Sequence, residues 1–167
     1  MGMQYDVKSA HINVSGVMIN ERVRLKGLVI TASVNPGYLY LWDSVTAPVA
    51  ATYGRSSTGL ITLTQVGHGL QTGQTVGLVF AAGTGGQATT GNYVVTRLTA
   101  DTYTVQDLNA GAITAGAAAL QNNGWMISID IGANESAATP IPGEGVLART
   151  GVYASISNLA GVTVFYG

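Results

Sequence analysis

Apolar and polar residues alternate with a period of two along much of this chain. In the segment 21–34, two apolar residues, Val23 and Leu25, fall on one side of an extended backbone. Three cationic residues fall on the other side: Arg22, Arg24 and Lys26. Because successive side chains of a β-strand point to opposite faces, this alternation predicts a strand whose two faces meet different surroundings.

The same pattern predicts four more strands towards the two ends of the chain. In 37–43, two leucines alternate with three aromatic residues: Tyr38, Tyr40 and Trp42. In 124–132, Trp125 is in step with three isoleucines, which places it on their face of the strand. The segments 151–158 and 161–167 are rich in β-branched and aromatic residues, and we expect them to pair as a terminal hairpin.

No segment shows the apolar spacing of an amphipathic helix, which recurs every three to four residues. The segment 110–120 is rich in alanine, but its glycines and its short length make a stable helix unfavourable. We therefore predict an all-β fold.

The middle of the chain differs in style from its ends. Residues 54–121 contain four charged side chains: Arg55, Arg97, Asp101 and Asp107. Short apolar runs between glycine-rich turns predict strands at 58–66, 75–81, 92–99 and 103–107. This part of the sequence is therefore interpreted as a small, self-contained β-module.

The economical arrangement is an insertion. Residues 1–53 and 122–167 would form a jelly-roll-like β-sandwich body, and residues 54–121 a β-barrel-like module inserted into it. The segments 52–59 and 120–124 would be the linkers. Surface loops accept such insertions at low entropic cost, provided that the two ends of the insert lie close together.

Charge is scarce in this protein. Only 9% of the 167 residues are charged and the net charge is −1, whereas about 25% are charged in ordinary soluble domains. The surface is either polar and uncharged or covered by partner subunits, and the 47% of hydrophobic residues favour the second interpretation. No apolar run reaches the roughly 18–20 residues of a membrane-spanning helix, and no signal peptide is expected from the first ten residues.

Candidate chemistry is sparse. His68 lies in a glycine-rich turn and His11 in an N-terminal strand, without the further ligands of a metal site or the serine and carboxylate of a hydrolytic triad. His68 and its neighbours are interpreted as a tight hairpin connection in which Gly69 and Gly73 take positive φ. The glycine-rich segment 82–91 is predicted to be a hairpin loop, since no helix or lysine follows it as a phosphate site requires.

Two carboxylates, Glu135 and Glu144, flank a proline- and glycine-rich loop, but nothing fixes their separation as a glycosidase would need. The sequence therefore predicts no catalytic residue, no metal ligand, no cofactor and no enzymatic activity.

The six remaining candidates could form a protein interface. The row of Arg22, Arg24 and Lys26 is either a solvated face whose charges prevent edge-to-edge strand pairing, or a contact with an acidic protein or, less favoured, a nucleic acid. The stripe of Tyr38, Tyr40 and Trp42 is either a second packed face of a central strand or a surface that binds a partner or a sugar.

The insert resembles a small β-module that recurs in structural proteins of tailed phages. The similarity rests on the turn HGLQTGQTV at 68–76, the strand GNYVV at 91–95 and the strand ADTYTV at 100–105, in that order. The module is also similar to a small β-domain of ubiquitin-activating enzymes, but nothing else in the chain fits such an enzyme.

The flanks resemble short virion proteins of tailed phages, through a strand–turn–strand ending in Trp42-Asp43 and a proline loop followed by two strands over 141–167. The resemblance implies a capsid decoration or cement protein, made in the host cytoplasm and located on the capsid exterior. It would bind assembled major capsid protein as a homo-oligomer, with a trimer favoured, and bind no nucleic acid or membrane. The alternative is a carbohydrate- or receptor-binding module of a tail fibre or baseplate.

Overall fold

A computed structural model describes residues 7–121 and 125–167 of the chain. This part of the chain forms sixteen β-strands and no helix. The strands are β1 (Lys8–Ile12), β2 (Gly16–Ile19), β3 (Val23–Ala32), β4 (Gly37–Asp43), β5 (Val49–Arg55), β6 (Leu60–Thr64), β7 (Thr75–Phe80), β8 (Gly91–Val94), β9 (Thr96–Arg97), β10 (Thr102–Gln106), β11 (Ile113–Gln121), β12 (Trp125–Ile131), β13 (Ser136–Pro140), β14 (Val146–Ala148), β15 (Val152–Ser157) and β16 (Leu159–Tyr166).

The prediction of an all-β fold is confirmed. In the described ranges there is accordingly no helix of the length and apolar character needed to cross a membrane. The strands form two compact units: a body made of Met1–Ala47 and Trp125–Gly167, and an inserted unit, Pro48–Gly124.

The body is a sandwich of two antiparallel sheets. Sheet A has the order β1-β16-β3-β13, with β14 also paired to β3, and sheet B has the order β12-β4-β15-β2. Alternate residues of both sheets point inward and form one apolar core. Its fully buried members include Leu25, Ile30, Leu39, Leu41, Val162 and Val164.

The connections of the body carry the chain from one sheet to the other. The predicted terminal hairpin is wrong, because β15 pairs with β2 and β4 in sheet B whereas β16 pairs with β1 and β3 in sheet A. Asn158 lies between the two strands with a φ of 53°. A residue in this left-handed conformation turns the backbone sharply, and asparagine tolerates it better than most residues, so the chain leaves one sheet and enters the other.

The inserted unit is built on one seven-stranded sheet in the order β8-β7-β11-β5-β6-β10-β9. Its two edge strands, β8 and β9, follow each other in the chain and are separated only by Val95. The Val95 N–H donates to the Gln74 carbonyl at 2.9 Å, and the Val95 carbonyl accepts from the Gly73 N–H at 2.8 Å. The sheet is therefore nearly closed, as the predicted barrel-like module requires, around buried residues that include Ile61, Leu63, Val76, Leu78 and Tyr103.

The alanine-rich segment, which the sequence analysis left without a strand, forms the central strand β11. It pairs with β5 on one side and with β7 on the other. Gly116 lies opposite Tyr53 in the β11–β5 ladder, and a Cβ placed on Gly116 would lie 2.1 Å from Tyr53 Cε1. The small residues of β11 thus make room for the buried tyrosine of the neighbouring strand, so size matters here more than strand propensity.

The inserted unit also includes β5, which the sequence analysis divided between the body and a linker at 52–59. The other linker, 120–124, begins in β11, and its residues 122–124 lie outside the described part of the chain. In the body, β4 and β12 are antiparallel neighbours, with Trp42 opposite Trp125. The insertion therefore occupies what would otherwise be the turn of a hairpin.

We expect Gly116→Ala to destabilise the protein, since the new methyl group would overlap the buried ring of Tyr53. Overpacking of this kind costs about 1–3 kcal/mol, measurable by urea denaturation followed by far-UV circular dichroism. The control is Gly16→Ala in β2, where the added Cβ has no atom within 4 Å. That variant should be as stable as the wild type or slightly more stable. Equal losses in both variants would contradict the proposed packing.

Candidate functional site

His68 is held in place by its own turn. Its side chain is buried, its Nδ1 accepts the Leu70 N–H at 3.0 Å, and its Nε2 lies 3.2 Å from the Thr99 carbonyl oxygen. Because Nδ1 accepts, Nε2 carries the proton and donates it to that carbonyl. The ring also packs edge-on against Tyr103, with 4.9 Å between ring centroids. Both ring nitrogens therefore serve the fold.

The turn around His68 fits the sequence interpretation only in part. Gly69 and Gly73 have φ values of 66° and 89°, so the expected positive φ is confirmed. The hairpin is wrong, because β6 and β7, which the turn connects, are not neighbours in the sheet. The N-terminal histidine, His11, is exposed, and its Nδ1 lies 2.9 Å from Thr163 Oγ1. Among the described residues, no three His, Asp or Glu side chains are grouped as a metal site.

In the cationic row, Arg24 and Lys26 lie in β3 on the outer face of sheet A, and Arg22 directly precedes that strand. Arg22 is exposed and the other two are half-buried. The explanation that these charges protect a sheet edge is wrong, because β3 is a central strand that pairs with β16 on one side and with β13 and β14 on the other. Both edges of β3 are thus occupied, and the three charges face outward from the middle of a sheet.

An apolar groove lies at one end of the cationic row, next to a β-bulge. In the β3–β16 ladder the register shifts between Phe165, opposite Gly27, and Tyr166, opposite Leu25, so Lys26 has no partner in that ladder. The groove, about 360 Å³ in volume, lies over Gly27. Apolar residues form most of its walls: Val7, Val29, Ala138, Pro140 and Phe165. Lys26 borders the groove, and its Nζ donates to the Glu144 carbonyl at 3.0 Å.

The three predicted aromatic residues lie on the outer face of the other sheet. Tyr38, Tyr40 and Trp42 point away from the leucines of β4 and form an aromatic cluster with Trp125. Tyr40 and Trp125 stack with 5.0 Å between ring centroids. Trp42 is fully buried, Tyr40 is 8% exposed, and Tyr38 and Trp125 are half-buried. The Trp42 indole N–H donates to Ser155 Oγ at 2.9 Å.

The sequence pattern placed Trp125 on the wrong face of its strand. The β12–β4 register shifts between Trp125 and Ile127, so Met126 is an extra residue in β12. A bulge of one residue reverses the face of everything beyond it. Trp125 therefore joins the aromatic cluster, whereas Ile127 packs against the sandwich core.

The structure separates the six candidate interface residues into two groups. The cationic row belongs to sheet A and the three aromatic residues belong to sheet B, and each group lies on the face of its sheet opposite the shared core. The two groups therefore form two surfaces of different character rather than one binding patch. The first is cationic. The second is uncharged, since burial, the Asp130 carboxylate and Tyr38 raise the pKa of Tyr40, which stays a neutral phenol.

The sequence analysis missed a buried ion pair in the inserted unit. Arg55 Nη1 lies 2.5 Å from Asp107 Oδ2, and the Asp107 side chain is fully buried. The Asp107 carboxylate also accepts the backbone N–H groups of Thr89 and Asn109, each at 3.1 Å. We call these four residues the polar clasp. It joins the loop before β8 to the loop after β10, and its only signal in the sequence was that charges are so rare in this unit.

Hydrogen bonds keep the Asp107 carboxyl ionised. Burial by itself raises the pKa of Asp107, but the N–H groups of Asn109 and Thr89, the Thr89 hydroxyl and the Arg55 guanidinium more than compensate. The pKa of Asp107 is consequently below its ordinary value of 3.8. The pair is neutral as a whole, and Arg55 makes further bonds to the carbonyls of Gly111 and Ala110.

No protein-family model and no curated protein matches this chain. Among solved structures, the chain is similar to the phage phi92 endosialidase, with a TM-score of 0.34 and 18% sequence identity over 81% of this chain. The chain spans 20% of the length of that protein.

We expect Asp107→Asn to destabilise the protein by about 3–5 kcal/mol at neutral pH, because it leaves the buried Arg55 guanidinium without a counter-charge. Replacing both partners, as Arg55→Met with Asp107→Leu, should cost less than the single change. Thermal unfolding followed by circular dichroism measures both. A double variant less stable than Asp107→Asn would contradict the assignment.

The stabilisation by Asp107 should also depend on pH. Because folding lowers the pKa of this carboxyl, its contribution is complete above the ordinary value of 3.8 and is lost as the pH falls through the lower value of the folded state. Unfolding curves recorded between neutral and strongly acidic pH should show this loss in the wild type. They should show it equally in the control variant Asp130→Asn, since Asp130 is exposed in the wild type. The loss should be smaller in Asp107→Asn.

Proposed function

We propose that this protein is a structural component of a tailed-phage virion that acts by binding other proteins and catalyses no reaction. The phage assignment rests on the sequence resemblance of the insert and of the flanks. The observation that carries the binding role is the outer face of sheet A, where a row of three cations has an apolar groove at its Lys26 end, on a chain with only 15 charged side chains. Charged side chains are rare in this protein, and three of them lie together on one face. Such a local concentration of charge suits contact with a specific partner.

We propose further that the protein decorates the capsid exterior and cements it by binding assembled major capsid protein. An apolar contact supplies affinity and neighbouring charges supply orientation and selectivity. The face of sheet A provides both, through Phe165, which is 37% exposed, and through the cationic row. A shell presents the same binding site many times. A protein that binds the assembled shell but not free capsid protein stabilises the shell by mass action.

The face of sheet A fits this role better than the face of sheet B. The most deeply placed residues of the aromatic cluster, Tyr40 and Trp42, are buried and cannot contribute much further area to a partner. Arg22, Phe165 and Pro140 are exposed on sheet A. The aromatic cluster accordingly stabilises the body, and the partner would dock on the opposite side of the sandwich.

The alternative function is that of a receptor- or carbohydrate-binding module in a tail fibre or baseplate. The observation that favours it is a cleft beside the polar clasp of the inserted unit, lined by both polar and apolar groups. Cryo-electron microscopy of the virion distinguishes the two locations. Density for this protein on the head supports decoration, and density only on the tail supports the alternative.

We expect Arg22→Glu combined with Arg24→Glu to weaken binding to purified shells of the phage's own major capsid protein by at least about tenfold, since it places repulsive charge against an acidic partner. Co-sedimentation with assembled shells measures the affinity. Arg97→Glu is a control for an Arg-to-Glu change elsewhere on the surface, because Arg97 is an exposed cation of the inserted unit. Equal binding by the double variant and the control would reject the face of sheet A as the docking surface.

The oligomeric state is the second test. A trimer predicts a particle mass three times the 17.1 kDa of the chain in light scattering. The mass is measured both for the free protein and for protein released from shells, so that a trimer that forms only on the capsid is also detected. A monomer under both conditions would contradict the trimer.

A further inference from the structure

The inserted unit carries a cleft of about 580 Å³ that neither the fold nor the proposed docking surface accounts for. It opens between the loop that precedes β8 and the loop that follows β10. Its walls present hydroxyl, amide, phenol and aliphatic groups. Its lining includes Thr89, Gly91, Asn92, Tyr93, Leu108 and Asn109.

The polar clasp makes this cleft rigid. Asp107 lies at its base and bonds to the backbone of both walls, through the N–H groups of Thr89 and Asn109. The Asn109 side-chain amide donates to Thr89 Oγ1 at 2.7 Å and ties the same two walls together again. A cleft held in this way before a ligand arrives loses little conformational entropy on binding.

Tyr93 presents part of its ring to the cleft. Its hydroxyl donates to the Thr89 carbonyl, and its ring packs edge-on against Phe80 with 6.0 Å between centroids. Gly91, two residues earlier on the same strand face, has no side chain to cover the ring. A Cβ at Gly91 would lie 3.4 Å from Tyr93 Cε2, in ordinary contact. The glycine therefore leaves the ring accessible from the cleft.

The cleft has no net charge to offer a ligand. Asp107 is the single ionisable carboxylate that lines it, and Arg55 neutralises that group from below. Burial and, to a smaller extent, the nearby Asp107 raise the pKa of Tyr93 to about 12 against the opposing effect of Arg55, so the phenol is neutral. An anionic ligand, such as a phosphate or an acidic sugar, would find no cation on the cleft surface among the described residues.

We propose that this cleft binds a neutral sugar residue of a glycan. Sugar rings offer hydroxyl groups to amides and hydroxyls and an apolar C–H face to an aromatic ring. Asn92, Asn109 and Thr89 supply the first kind of group, and the ring of Tyr93 supplies the second. The inference depends on the inserted unit alone and holds whether the protein lies on the head or on the tail.

Leu108 identifies the competing occupant. Its side chain is 100% exposed at the rim of the cleft, and exposed apolar side chains are common in protein interfaces as well. The cleft favours a glycan because it places amide and hydroxyl groups beside the apolar face of a tyrosine ring, the two kinds of contact that a sugar ring makes. The experiment below therefore distinguishes binding of a protein from binding of a glycan.

The test is a glycan array that contains neutral and sialylated oligosaccharides, probed with the 167-residue chain. The best neutral sugar is then titrated into the protein and the titration is followed by NMR. We expect binding to neutral glycans, with chemical-shift changes at Thr89, Asn92 and Asn109. Gly91→Val should fill the space beside Tyr93 and weaken binding at least about tenfold. Its control is Gly16→Val in β2, where an added Cβ meets no atom within 4 Å. Leu108→Ser is a second variant of the rim that cannot disturb the core.

Four results would overturn the proposal. They are the absence of binding to any glycan, binding to sialylated glycans alone, unchanged binding in a correctly folded Gly91→Val variant, and capture of a protein that is lost in Leu108→Ser without any glycan binding. None of these results bears on the docking of the body to shells, which is measured separately with the variants of the cationic row.

Discussion

Hydrogen bonding between strands that are distant in the sequence holds the body together. Each described strand of the sandwich pairs with strands that do not adjoin it in the chain, with β4 and β12 separated by the whole inserted unit. Loop-closure entropy must be overcome before such pairs form, so folds of this kind assemble slowly compared with those made of local hairpins. The central strand β3 bears most of this constraint, since β13, β14 and β16 all pair with it.

The period-two alternation predicted where strands occur but not how they pair. The prediction of 37–43 agrees with β4 at both ends, because its leucines and aromatic residues alternate without interruption. The prediction of a terminal hairpin was wrong for a simple reason. Apolar and polar residues alternate in the same way in β15 and β16 whether the two strands pair with each other or face each other across a core. Asn158, between the two strands, has a left-handed conformation, and asparagine is common in both kinds of turn.

The alanine-rich strand β11 and the face of Trp125 could not be predicted for a different reason. Both depend on the neighbouring strand: Gly116 is small because Tyr53 lies opposite it, and Trp125 changes face because Met126 is an extra residue. The candidate surfaces show the same limit. Local spacing correctly grouped the cationic row on one face and the aromatic residues on another, but it could not show that these faces belong to different sheets.

The place of the insertion has a consequence for how such chains change over evolutionary time. The inserted unit leaves the body after β4 and returns at β12, two strands that are already hydrogen-bonded to each other. A turn of a few residues would close that hairpin without the insert, and another compact module with adjacent termini could replace it. The body thus has an insertion site at which a module can be lost, gained or exchanged by recombination, while the sandwich keeps its own hydrophobic core.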